Sequence, residues 1–464
     1  MKTKRFTKVM FAVAGSLLAV GSISAQETPH QRDSLMSLNK NAIQQISPGE
    51  GHAAGQSGFW GYAFGDYAYM AKGDSAGRGT KQQYKGLGAY SAASKTPNAF
   101  EVRRAYLGYD YNINSHFSAY ALMAYEGDED VNDDRTVYLK YIYLKWKNIW
   151  KGTNLKLGQQ ATNSFASDYN TEPLMGYRAV EKTIMDMHGV DGSSDMGLTL
   201  EGRIVTFKGD TSKVPTFIGY SAMVGDNSGN APVTGFTGAP TSISTASPAI
   251  TLNPFNNTTD VNKKYRGQLY VNTLNNALTV GVYADYINYG NVPLGKSSTV
   301  FQQAVQTTKV YAVYNSKWFG IGGEWFMQTM TNGEIETWKV VNKVPTGVND
   351  TTKAEQTGFS VFAHGTIIQN TLNVFARYDM YTPDNKYSYN ANETFTERFS
   401  NTSGVSPYKE TFMNFGVDWT PTKDKKVHIM PNVWYYGIKN GYGSGDLGSD
   451  NYMLYRVTFL FAFN

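Results

Sequence analysis

From Gly58 to the C-terminus, apolar and polar residues alternate in stretches of about ten to thirteen, with the period of a pleated strand. Leu278, Val280, Val282, Ala284 and Tyr286 fall on one face of one stretch, and Thr279, Gly281, Tyr283 and Asp285 on the other. Another sets Leu372, Val374, Ala376, Tyr378 and Met380 against Asn373, Phe375, Arg377 and Asp379. The last sets Met453, Tyr455, Val457, Phe459, Phe461 and Phe463 against Arg456 and Thr458. The pattern predicts strands at 58–70, 99–111, 116–126, 135–147, 154–161, 195–208, 215–225, 263–274, 277–289, 307–318, 321–330, 356–368, 371–381, 409–420, 427–438 and 451–463. Seven connections are short, among them 112–115, 148–153, 275–276, 319–320, 369–370 and 421–426. The other eight are mostly longer, as from Asp226 to Asn262 and from Thr382 to Tyr408.

An even number of two-faced strands joined alternately by short turns and long loops predicts an all-β fold: a transmembrane antiparallel β-barrel of about sixteen strands, with extracellular loops and periplasmic turns. Hydrocarbon offers no hydrogen-bond partner, so such strands cross a bilayer only as a closed ring. At about sixteen strands the lumen is too wide for side chains to fill, which leaves an aqueous channel. A soluble sandwich or propeller shares the alternation. The crowd of Phe459, Phe461 and Phe463 at the end of the chain favours the barrel, although Asn464 follows the last aromatic. Trp318 and Trp419 stand just before predicted short turns and Trp150 within one, where an interfacial aromatic belt would need them.

The residues before the barrel read differently. Lys2, Lys4, Arg5 and Lys8 precede the apolar run Val9–Val20, and the small residues Ser22–Ala25 follow, which predicts a cleaved signal peptide over 1–25. Residues 26–57 form a periplasmic arm in which Leu35, Leu38, Ala42 and Ile46 could line one short helix before Pro48 and Gly49. The barrel then occupies 58–464. Four of the 42 Lys and Arg lie in the leader, leaving the remainder equal to the 38 Asp and Glu. A formally neutral mature chain has no basic field for nucleic acid. The mean hydropathy of −0.41 over all 464 residues leaves no room for a bundle of membrane helices, and with Cys 0 there is neither disulfide nor thiolate chemistry.

Phe100–Gly108, followed by Phe117-Ser118-Ala119-Tyr120, then Tyr138–Trp146, Leu155–Gln159 and Met196–Gly202, resembles the early strands of the phosphate-selective porin O/P family of Gram-negative outer-membrane porins. The likeness covers roughly 99–208. It implies a homotrimeric sixteen-stranded channel lined by basic residues that favour anions, with outer-membrane lipids and lipopolysaccharide, and small solutes or ions, as partners. It carries over Arg103 and Arg104 as a basic site on the lumen. Two departures count against inherited phosphate specificity. Tyr106 stands where a further Arg is common, and Gln160-Ala161 where an aromatic and a lysine often follow Gly158-Gln159.

Opposite the apolar faces, the alternation places Arg104, Lys140, Lys156, Arg203, Lys264, Arg266, Arg377 and Arg456 with Asp66, Asp110, Glu201, Asp285, Glu324, Asp379 and Asp418. A bulge would exchange the faces of Arg103 and Arg104, and the Tyr- and Leu-rich strand around Lys140 reads either way. Eight basic against seven acidic positions predict a modest ion preference. Glu201 with Arg203, and Arg377 with Asp379, are spaced for local pairing. The connection 162–194 follows the fifth strand. By analogy with general porins it is the segment expected to fold inward, with Arg178, Glu181, Lys182, Asp186 and His188 as constriction residues and Tyr177–Met187 compatible with a short helix. The six histidines show no metal-ligand spacing, His364 reads as lumen-facing, and the acidic run Glu126–Asp134 lacks the glycine and closing glutamate of a calcium loop. No cofactor, metal or catalytic step is expected. The reading is passive diffusion through the barrel, against the alternative of a surface adhesin or receptor with an occluded lumen.

Overall fold

The computed structural model describes residues 53–72, 98–127, 136–165, 179–180, 182–207, 215–227, 262–293, 300–337, 350–382, 408–440 and 450–463, with short pieces at 340–341, 344–345, 385 and 394–396. The leader, most of the arm, the acidic run beyond Gly127 and residues 441–449 lie outside the described residues.

Sixteen long strands follow one another: β1 (Gln56–Lys72), β2 (Asn98–Asn112), β3 (Phe117–Glu126), β4 (Val137–Trp150), β5 (Thr153–Ala161), β6 (Ser194–Thr206), β7 (Phe217–Gly225), β8 (Lys264–Thr273), β9 (Leu278–Pro293), β10 (Val300–Asn315), β11 (Phe319–Thr337), β12 (Asp350–Ile368), β13 (Leu372–Thr382), β14 (Tyr408–Trp419), β15 (Val427–Asn440) and β16 (Asp450–Phe463). Each pairs antiparallel with its neighbours in sequence, and β16 returns to β1 from Gly61↔Phe463 to Met70↔Leu454. The ring is closed, so no long strand is left with an open edge. Thr394–Thr396 adds a short strand beside β11, and Val340–Val341 pairs with Val344–Pro345. No described helix is long and apolar enough to cross a membrane; crossing belongs to the strands.

Side-chain direction follows the alternation. Val280, Val282, Ile321, Phe415, Val457 and Phe461 are exposed on the outside, whereas Thr279, Tyr283, Asp285, Asn373, Arg377, Asp379, Arg456 and Thr458 are buried on the inside. Trp146, Trp150, Trp318 and Trp419 are exposed outward near the short-turn rim, as an interfacial belt requires. One boundary moves. β10 ends at Asn315 and the turn is Ser316–Trp318, held by the Ser316 N–H donating to the Phe319 carbonyl (2.8 Å). Between β8 and β9, Asn275 and Asn276 take φ of 62° and 66°, and the Ala277 N–H donates to the Leu274 carbonyl at 3.1 Å. With Leu274 at φ 52° as well, the connection runs over 274–277, two residues longer than the pattern predicts, and its centre is of the kind asparagine tolerates.

Two bulges set the inner wall. Phe64 faces Arg104 but Gly65 faces Val102, so Arg103 is the extra residue on β2. Leu122 faces Tyr141 but Met123 faces Leu139, which makes Lys140 the extra residue on β4. An extra residue resets the two-residue period. Arg103 and Arg104 are therefore both buried inside, rather than one in and one out, and Lys140 joins them.

Candidate functional site

The connection between β5 and β6 turns into the barrel. It opens with the 3₁₀ turn Asn163–Phe165, and its return limb carries one helical turn, α1 (Ile184–Met187), shorter than the span its sequence suggests. Thr183 caps α1, its side chain accepting from the Asp186 N–H at 3.2 Å. Gly189, at φ 62°, ends it, with the Gly189 N–H on the Asp186 carbonyl and the Val190 N–H on the Met185 carbonyl. Arg178 and Glu181 lie outside the described residues.

Apolar burial holds this turn in the lumen. Ile184, Met185 and Val190 pack with Tyr283 of β9, Phe326 of β11 and Tyr381 of β13. Met187 and Val180 pack with Ala68, Met70, Phe412, Trp434, Tyr436, Tyr452 and Leu454 on the facing wall. Ile184 and Met185 are fully enclosed, at 0% exposure, inside a wall that the alternation marks as wet. Burying each such side chain contributes about 1.5–3 kcal/mol.

Charge then fixes the position. The Asp191 carboxylate accepts from Arg266 Nε (3.2 Å) and Nη2 (3.0 Å), Lys264 Nζ (2.8 Å), Ser164 Oγ (2.7 Å) and Tyr283 Oη (3.3 Å). Burial pushes this carboxyl up, but Arg266 and Lys264 outweigh it and hold it well below the usual range. Arg266 Nη1 also reaches Asp195 (2.7 Å), and Lys264 reaches Asp285 (3.2 Å). Lys309 Nζ donates to the Ser164 carbonyl (2.9 Å) and to Glu324 (2.8 Å). Gln328 Nε2 donates to the Val190 carbonyl at 3.1 Å. Arg377, gripped by Asp379 (2.6 Å), donates Nη1 to the Lys182 carbonyl (2.5 Å). Arg456 Nη1 donates to the Ala179 carbonyl at 3.4 Å.

Within the connection, Lys182 is buried. Burial raises the Asp186 carboxyl, against the pull of Lys182 and Arg104. The His188 ring lies flat on Tyr381, centroids 3.5 Å apart and planes 8° from parallel. Burial, reinforced by the Arg377 charge, pushes His188 down to about 3, so it is neutral at pH 7.

On the wall, Asp66 takes Arg103, Arg456 and Thr458. Glu126 takes Arg104 (2.5 Å), Lys140 and the Tyr106 hydroxyl (2.5 Å). Asp418 meets His428 at 2.8 Å, and Asp110 is buried. Glu201 takes Lys156 (2.7 Å) and Lys145 (3.7 Å), while the Arg203 guanidinium stands 4.0 Å from the Phe217 ring centroid. His364 faces inward, Nε2 3.3 Å from Asn315 Oδ1.

Most of the candidate basic positions thus stand inside the barrel. Lys264, Arg266, Arg377 and Arg456 are engaged with the inward connection rather than arrayed as an open ladder. The alternation also exposes Lys309, which stands between Thr308 and Val310 but is absent from the expected lining. Asp191 belongs to the connection, where no period marks it, and Asp195 is the second residue of β6, at the margin of the predicted strand 195–208. Glu126, where the predicted strand 116–126 meets the acidic run, is the last residue of β3 and a wall carboxylate.

No family model matches the sequence, and no curated protein matches it. Among solved structures, the chain is similar to the outer membrane channel DcaP of Acinetobacter baumannii at 12% identity, covering 90% of this chain and 100% of that one, with a TM-score of 0.52. The outer-membrane protein OmpT of Vibrio cholerae aligns at 11% identity over 89% of this chain and 99% of that one, TM-score 0.46. OmpF of Salmonella typhi, in complex with daunomycin, aligns at 12% identity over 88% and 98%, TM-score 0.46. The closed sixteen-strand barrel with its apolar exterior is an outer-membrane β-barrel, and its place is the outer membrane of a Gram-negative cell.

Proposed function

We propose that this chain is a porin through which small hydrophilic solutes or ions diffuse down their gradients, past the inward 162–193 connection, with homotrimeric assembly as the family resemblance implies. The observation that carries the reading is the docked connection: its described residues are clamped to β8, β10, β11, β13 and β16 inside a closed barrel, where a constriction would stand. Arg103, Arg104, Arg377 and Arg456 leave a modest ion preference, since each stands against a carboxylate. Phosphate belongs among the anions to be tried, not as a built-in specificity. One observation favours a second reading, a receptor or adhesin with an occluded lumen: the enclosed packing of Ile184, Met185 and Met187. Planar-bilayer recording separates the two. Purified protein is expected to give discrete conductance steps in KCl; insertion without steps overturns the channel and favours the occluded barrel.

A further inference from the structure

The inward cations differ in exposure. Lys264 and Arg266 of β8, clamped to Asp191 of the inward connection, have side chains only 3% and 1% exposed. Lys145 and Lys156, near the short-turn rim, are 14% exposed and share Glu201, itself 26% exposed. They face each other across β4 and β5. Directly along the lumen face of β4 from Lys145 come Tyr143 and Tyr141, both partly buried. Their rings continue an aromatic tract: Tyr143 and Tyr141 lie 5.1 and 6.3 Å from Tyr120, and Tyr120 is stacked on Trp60 at 6.1 Å and 19°. The Lys156 ammonium sits 5.7 Å from the Tyr143 centroid. Across the strand pair Tyr143 faces Gly158, whose φ of 132° and closeness to the Ile142 carbonyl exclude a side chain. On β5 it is Lys156 that reaches the ring.

A supported aromatic face next to two lysines that share one carboxylate offers two complementary contacts, stacking and charge. We propose that this wall is a binding station for ring-bearing carboxylates, aromatic or sugar, the face of the ring lying on Tyr143 and Tyr141 and the carboxylate meeting Lys145 and Lys156. The assignment rests on the channel reading for its physiological sense, but the binding itself does not need conduction.

The test uses the full mature barrel in detergent and in bilayers. Titration calorimetry with benzoate and with glucuronate, one aromatic and one sugar-ring carboxylate, is expected to show binding about tenfold tighter than acetate or glucose. Benzoate alone tighter assigns the station to aromatic rings, and glucuronate alone to sugar rings. Lys156→Gln and Tyr143→Ala should each weaken binding about tenfold, whereas Tyr143→Phe and the remote Lys263→Gln should retain it. Heat-modifiable gel mobility checks that each variant is folded. In bilayers, benzoate should interrupt the KCl current reversibly. Absent KCl steps with benzoate binding intact would overturn the channel and leave the station standing. Equal affinity for benzoate, glucuronate and acetate, or wild-type binding by a folded Tyr143→Ala chain, overturns the station.

Discussion

At the scale of the residue, Asp191 joins the return limb to Lys264 and Arg266 of β8, to the Tyr283 hydroxyl of β9 and to the Ser164 hydroxyl of the opening turn, all buried. Asp191→Asn would leave Arg266 and Lys264 with less compensation, and removing one partner of a buried ion pair costs about 3–5 kcal/mol. The expected outcome is an undocked connection, read as larger single-channel conductance and faster proteolysis within 162–193, with the barrel intact. His188 supplies a pH dependence of defined sign. Its pKa falls from 6.5 to about 3 on docking. Between those values the undocked histidine binds a proton and the docked one does not, so docking weakens as pH falls. Asp191, held low, adds loss of the same sign below its ordinary range of about 4. Asp186, held high, acts in the opposite direction. Conductance that rises from pH 7 to pH 4 in the native chain, and rises less in His188→Phe, is the expected result. The faces of Lys264, Arg377 and Arg456 were legible because each sits in an unbroken period. Arg103 was carried only by the family resemblance and Lys140 lies on a strand that reads either way, because a bulge is a backbone event that no side-chain pattern announces.

At the scale of the element, the closing seam joins β16 to β1. Gly61 and Gly65 leave the outer face of β1 bare, and the rings of Phe463 and Phe459 lie where their Cβ atoms would stand. Gly61→Val is therefore expected to clash with Phe463 and the Tyr106 carbonyl and to lower the fraction of heat-resistant folded barrel on gels. The terminal phenylalanines were visible in the sequence, but their glycine partners, nearly four hundred residues away, became meaningful only once the ring closed. On β9, Val282 is half exposed to the outside. Val282→Arg places a charge on the lipid face and should cost about 2–4 kcal/mol at the membrane midplane. Urea titration of the barrel refolded in vesicles measures the loss.

At the scale of the whole molecule, strand number and facing could be read before any coordinates because each strand carries its own two-residue signature. The filling of the lumen could not. Ile184, Met185 and Met187 sit in a connection, where a short apolar run has no period to declare its destination, and their packing partners come from β9, β11, β13 and strands at the far end of the chain. Docking at that depth depends on long-range contacts that local pattern does not encode.

The hydrogen-bonded ladder between Gly61–Lys72 and Met453–Phe463 has a bearing on biosynthesis. The first hairpin emerging from the export machinery cannot find its outer neighbour until the final residues have been delivered, so maturation must wait for the very end of synthesis. A product truncated after residue 449 would carry two raw margins, on β1 and β15, each a template for another copy, and should accumulate as aggregate where the complete polypeptide inserts.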